Sequence, residues 1–305
     1  MSQGFSSSAY KGRNSWWRYA LVLSSVTFYW FVGAYFMVIG ARNLLRSCAL
    51  DELVCEMISG AMPFLFVSLW LVLMVEVLHR RPFRSLITAG AVINFKRIGQ
   101  GFVFWLSLMA LWTGLDMFLW PHHYQWSFDP RRWFLLLLLS LAVVPLKVAT
   151  EELLFRGYVM QGLRLATRRS WLLMLMSGAI FALPHFNNPE MQRGAFIEGA
   201  LYYFFWGVVF AAIALKDNGL ELAIGVHTAH NLFSYLMVTT PDSVTATPAL
   251  WVHQATVSPL LCAIGLLVNG GLFYYVFFAG APAKKSPVYV CAHQACTPNK
   301  SNRVL

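Results

Sequence analysis

The chain has 305 residues, of which 12% are charged against the ~25% of a typical soluble domain, while 58% are hydrophobic and 16% aromatic. With a mean hydropathy of +0.57 these figures exclude disorder, collagen-like repeats and an ordinary soluble fold, and five cysteines exclude a disulfide-stapled miniprotein. The net charge of +10 does not mark a nucleic-acid binder, because the cations lie in short segments between apolar runs and read as membrane topology signals.

A bilayer helix needs about 20 mostly apolar residues. Taken in chain order, the candidate spans run from Tyr19 to Gly40, Met57 to Val75, Gly101 to Trp120, Trp133 to about Tyr158, Trp171 to Phe186, Gly199 to Leu215, Leu222 to Val238 and Pro259 to Ala279. The first is too long for a cleaved signal peptide and lacks its small-residue exit. The third carries Asp116, and the fourth begins as a leucine run but then holds Pro145, Lys147, Glu151, Glu152 and Arg156. No run alternates with period two, so strands are not expected. The expected fold is all-α, a polytopic transmembrane helix bundle of about eight spans. Residues 1–18 form an N-terminal tail, 19–280 the bundle and 281–305 a polar C-terminal tail; there is no internal repeat and no linker long enough to set off a second domain.

Sixteen lysines and arginines fall in the two tails and the even-numbered loops, and five in the odd-numbered loops. This asymmetry places both termini in the cytoplasm, on a bacterial inner membrane if the source is bacterial. Cys48 and Cys55 then share the first loop on the oxidising side, where a disulfide and two inert thiols are both open. Cys291, His293 and Cys296 in the tail have metal-like spacing, but no second pair completes a four-ligand site.

Ionisable residues inside spans are costly and so are functional candidates. In Glu151-Glu152-Leu153-Leu154-Phe155-Arg156, Glu152 and Arg156 are four apart and share a helix face, whereas Glu151 lies ~140° from Arg156. This arrangement pairs Glu152 with Arg156 and frees Glu151, although a network serving only helix packing accounts for the three charges equally well. His185 follows Pro184, which disturbs the turn before it and opens a route for water; a lone histidine beside Phe181 is also a common packing residue. His227 and Asn231 are four apart and present two donors to one point, with His230 ~60° round the helix. The signatures His-Glu-x-x-His, Gly-x-Ser-Gly and Gly-x-Gly-Asp are absent, and what remains is a free glutamate, a kinked histidine and a histidine/asparagine pair.

These three motifs, Glu-Glu-x-x-x-Arg at 151–156, Phe-x-x-x-His at 181–185 and His-x-x-x-Asn at 227–231, resemble in order and spacing the CPBP family of intramembrane proteases, which includes the type II CAAX prenyl endopeptidases and the bacterial Abi and bacteriocin-processing proteins. The motif-bearing core runs from about 143 to 235, and the phrase from Gly219 to Asn231 resembles the bacterial branch. The resemblance implies hydrolysis of a peptide bond in a membrane protein, a lipid-anchored protein or a peptide. Glu151 would act as general base with His185 orienting the water, His227 and Asn231 would hold the oxyanion, and Glu152 with Arg156 would support them. Glu151, His185 and His227 would be the ligands if zinc were used, although Asn231 suits an oxyanion better than a metal. By helical rise, Glu151 and His227 reach the same depth, and His185 does so only if its helix tilts, kinks or starts below the membrane. Two further readings compete: a transporter with an ion path through Glu76, Asp116 and Lys147, and a non-catalytic immunity or partner protein.

Overall fold

The computed structural model of the chain describes residues 5–188, 191, 196–241, 247–255, 257–280, 289–292 and 295–298. Its architecture is the expected all-α bundle. The long helices are α1 (Trp16–Ser47), α2 (Glu52–Val77), α3 (Phe95–Leu119), α4 (Pro130–Ala166), α5 (Ser170–His185), α6 (Phe196–Asp217), α7 (Glu221–Leu236) and α8 (Pro259–Ala279). Six of them are long and apolar enough to cross a membrane, and α5 is a shorter apolar helix. Their outward faces carry large apolar side chains, among them Phe118 at 82% and Ile197 at 74% exposure, a surface that only lipid accommodates on this scale. The protein is therefore an integral membrane protein.

Local chemistry fixes the starts of several helices. Asp51, Asn94, Asp129 and Ser258 each accept a backbone N–H of the first turn of α2, α3, α4 and α8, satisfying donors that lipid would leave orphaned. Pro130 and Pro259 occupy first-turn positions where no N–H is needed. Most of these helices extend beyond the uncharged stretches, because Arg18, Arg42 and Arg46 sit within α1 and Arg164 within α4. Long basic side chains are tolerated at helix ends, where they reach the interface.

Three short strands depart from the all-helical expectation: β1 (Tyr124–Trp126), β2 (Val238–Thr239) and β3 (Trp251–His253). β3 is central, antiparallel to β1 with Tyr124 opposite His253 and parallel to β2 with Val238 opposite Trp251. Runs of two or three residues are too short to show an alternating pattern. A further hairpin pairs Tyr289–Ala292 with Ala295–Pro298, while His293 lies outside the described residues. Cys48 and Cys55 are free thiols, Cys48 exposed and Cys55 buried in the core face of α2, so the disulfide alternative is corrected in favour of two thiols. Within the N-terminal tail, Phe5 is buried and its N–H donates to Asn218. Arg13 exchanges two hydrogen bonds with His79, whose Nε2 accepts from the Tyr158 hydroxyl at 2.8 Å.

Glycines set the closest helix approaches. A Cβ on Gly101 of α3 would stand 2.6 Å from the Leu222 carbonyl oxygen of α7, and one on Gly225 would collide with the Ile98 carbonyl oxygen and stand 2.8 Å from the Phe102 nitrogen. α5 and α6 meet through Gly178 and Gly207 in the same way, with Gly178 Cα 2.6 Å from a Cβ built on Gly207. Such small-residue seams let membrane helices pack backbone to backbone. Here they hold α7 and α5, which carry the histidine motifs. Gly225→Ala should therefore destabilise the detergent-solubilised protein by about 1–3 kcal/mol through forced separation of α3 and α7. Gly99→Ala, where nothing lies within 4 Å of the new Cβ, should cost nothing and gain up to ~1 kcal/mol of helix propensity. Thermal melts of the two variants check this.

Candidate active site

The buried centre of the bundle is an ion cluster between α4 and α7. The helix α4 runs as a regular α-helix to Glu152, then widens into a π-helical segment, Leu153–Val159, that contains Arg156. Such π segments are rare and occur often at functional positions. Arg156 Nη1 donates to Glu152 Oε1 at 3.0 Å with both side chains fully buried, and its Nη2 donates to the Gly207 carbonyl at 3.4 Å. The guanidinium lies 4.2 Å from the Phe181 ring centroid and 4.9 Å from that of Phe210, an arrangement that offsets part of its desolvation.

His227 joins the same carboxylate. Its Nδ1 lies 2.9 Å from Glu152 Oε1, and because a carboxylate already paired with an arginine can only accept, Nδ1 carries the hydrogen and donates it. The other ring nitrogen, Nε2, stands 3.7 Å from Glu151 Oε2. The imidazole is thus held between two consecutive glutamates and stacked on Phe210 at 4.5 Å. Glu151 retains 20% side-chain exposure where Glu152 has none, and this difference separates a group that water reaches from one it does not.

Glu151, His185, His227 and Asn231 all line one cavity of ≈ 1020 Å³, together with His230 and Lys147. His185 reaches it from the last turn of α5, which tightens into a 3-10 helix, Leu183–His185, at Pro184. Its Nδ1 donates to the Phe181 carbonyl at 2.8 Å and its ring stacks on Tyr203 at 4.1 Å, so in the neutral ring Nε2 is an acceptor. The depth discrepancy that helical rise leaves for His185 is absent from the folded chain. His230 packs its ring on Trp206 at 4.5 Å, and Lys147 Nζ donates to the Tyr235 hydroxyl at 3.2 Å.

Two features of the site lie outside the motif arithmetic: the second bond of Glu152, to His227, and the aromatic walls supplied by Phe210 and Tyr203. Helix-face spacing within α4 signals neither, because both partners come from other helices. Of the residues of the competing ion path, Lys147 lines the cavity, Glu76 accepts from the Phe83 N–H next to the end of α2 and Asp116 is engaged by Tyr124 beside the strands. Glu151, His185 and His227 do not form a group whose ligand atoms all lie within 4.8 Å of one another. Among the described residues, the group of three histidine, cysteine or acidic side chains that meets that distance is Asp116, His123 and His253.

The two glutamates should fail differently when made neutral. Glu152→Gln leaves Arg156 and His227 without their shared acceptor charge, a loss of about 3–5 kcal/mol for breaking a buried pair. Its main symptom should be a lowered melting temperature and yield in detergent. Glu151→Gln, at the cavity wall, should melt close to the wild type; a larger loss for Glu151→Gln than for Glu152→Gln would contradict this division.

A family model described as type II CAAX prenyl endopeptidase Rce1-like matches residues 130–233, the segment from the start of α4 to within α7 that carries all three motifs. An uncharacterized Bacillus subtilis protein, YyaK, is 31% identical over 245 residues, covering 77% of this chain and 82% of the relative. No solved structure matches. The chain belongs to the type II CAAX prenyl endopeptidase Rce1-like family, a family of membrane proteases.

Proposed function

We propose that the protein is a glutamate-type intramembrane endopeptidase that cleaves a membrane protein, lipid-anchored protein or membrane-associated peptide within the ≈ 1020 Å³ cavity. The observation that carries this reading is the 3.7 Å approach of Glu151 Oε2 to His227 Nε2 at the cavity wall, with a second glutamate fixing the imidazole from behind. Glu151 takes a proton from a water as its oxygen adds to the scissile carbonyl carbon. His185, with Nε2 as acceptor, orients the second hydrogen of that water. The resulting oxyanion is held by the Asn231 amide and by His227 Nε2–H. A donated Nε2–H requires the imidazolium form, in which Glu151 and Glu152 balance Arg156 and His227 in charge. Breakage of the C–N bond then returns the proton from Glu151 to the leaving amine. Glu152 and Arg156 touch no reacting atom and position His227.

Glu151→Gln should bind substrate and leave it uncut. Asn231→Ala should lower turnover on the order of 10²-fold with little change in bound substrate. Peptides trapped on Glu151→Gln from membranes and mapped by mass spectrometry provide both the substrates and the assay; continued cleavage by Glu151→Gln refutes the mechanism. The reading assigns the catalytic core to residues about 143–235 within a bundle at 19–280.

The same proposal sets both termini in the cytoplasm of a bacterial cell membrane, supported by the sixteen-to-five distribution of lysine and arginine. Impermeant thiol reagents applied to intact cells should leave Cys291 and Cys296 of the tail unmodified, and labelling of that tail from outside would reverse the topology.

A further inference from the structure

Where α3 ends, close to β3, three metal-type ligands from distant parts of the chain converge. Asp116 lies in the last turns of α3, His123 in the turn that follows it, and His253 ends β3. One ligand atom from each lies within 4.8 Å of the others, and His253 Nε2 is 3.8 Å from Asp116 Oδ2. Atoms bound to one tetrahedral zinc at ~2.0–2.2 Å stand about 3.3–3.5 Å apart, so a contraction of a few tenths of an ångström at this pair brings them to bonding geometry.

The surroundings are those of a supported metal centre. His253 Nδ1 donates to the Ala255 carbonyl at 3.1 Å, which fixes the tautomer with Nε2 as a lone-pair donor toward Asp116. The Tyr124 hydroxyl donates to Asp116 Oδ2 at 2.5 Å and orients the carboxylate. Trp120 stacks on the His123 ring, with 9° between planes, at 6.4 Å. All three ligands are partly buried.

We propose that Asp116, His123 and His253 bind a divalent transition metal of the zinc type at the mouth of the cavity. Two imidazoles and one carboxylate are a borderline nitrogen and oxygen set that suits zinc and leaves a fourth position to water. The ion joins the α3–β1 turn to β3, and because His253, Gln254 and Ala255 also line the cavity, it clamps the wall past which a substrate enters. This site is separate from Glu151 and His227 and does not depend on their chemistry.

The test uses full-length, tag-free protein in detergent, with zinc as the probe, followed by equilibrium dialysis with elemental analysis and by thermal melts. Wild type should retain about one ion per chain and melt higher when saturated. The near-isosteric Asp116→Asn, and separately His123→Ala and His253→Ala, should weaken binding at least about 100-fold, and Tyr124→Phe about 10-fold as an orienting group does. Their melting temperatures without zinc, close to that of the wild type, show that the variants fold; a variant that does not is set aside in favour of the other ligands and Tyr124→Phe. Glu151→Gln and His227→Ala should keep the ion. Unsaturable binding, stoichiometry unchanged in all three ligand variants, or an ion that follows His227→Ala or a Cys291→Ser/Cys296→Ser double variant would each overturn the proposal.

Discussion

One carboxylate oxygen organises the centre of this protein. Glu152 Oε1 accepts from Arg156 within its own helix and from His227 on another, and removal from water of a charge this deep is tolerated only because both partners are present. The shared oxygen ties α4 to α7, fixes Nδ1 of His227 as a hydrogen-bond donor, and leaves the other nitrogen toward Glu151. Two glutamates adjacent in sequence thereby acquire different environments. One is sealed within aromatic and ionic contacts, and the other stands at the wall of a cavity.

That arrangement requires helices to be close without closing the cavity. Small-residue seams provide the closeness: Gly101 and Gly225 between α3 and α7, Gly178 and Gly207 between α5 and α6. The Gly207 carbonyl is also an acceptor for Arg156, so one residue serves both packing and charge neutralisation. Phe210 and Tyr203 line the cavity and stack against the two catalytic-candidate histidines, His227 and His185. In lipid, where apolar burial does not drive helices together, such backbone approach and buried polar bonds carry the association.

The strands add a second level of organisation at one end of the bundle. β2 follows directly on α7, β3 pairs with it and with β1, and Trp133 at the start of α4 donates to the Leu236 carbonyl at the end of α7 at 2.9 Å. The helices that supply the ion cluster are thus tied again beside the cavity. A peptide approaching the cluster from that side meets a wall fixed by hydrogen bonds from three separate parts of the chain.

Helix order and membrane residence follow from the sequence alone, because hydropathy over about 20 residues is a local property and lipid imposes it strictly; of the about eight spans so expected, six are helices long and apolar enough to cross a membrane among the described residues. The pairing of Glu152 with Arg156 was legible for the same reason, as a four-residue spacing on one helix. Helix ends were less so, since arginines at the interface remain helical while interrupting an uncharged run. The motif order carried the family, and the matched region contains all three motifs. The tertiary structure alone decided that His227 bridges both glutamates, that the last turn of α5 delivers His185 to the same cavity, that Cys48 and Cys55 do not meet, and that Asp116 and His123 lie against His253. Each of these depends on how far apart two helices or strands sit and on which register they share. Those distances are set by seams and pairings between segments remote in sequence, to which no local periodicity is sensitive.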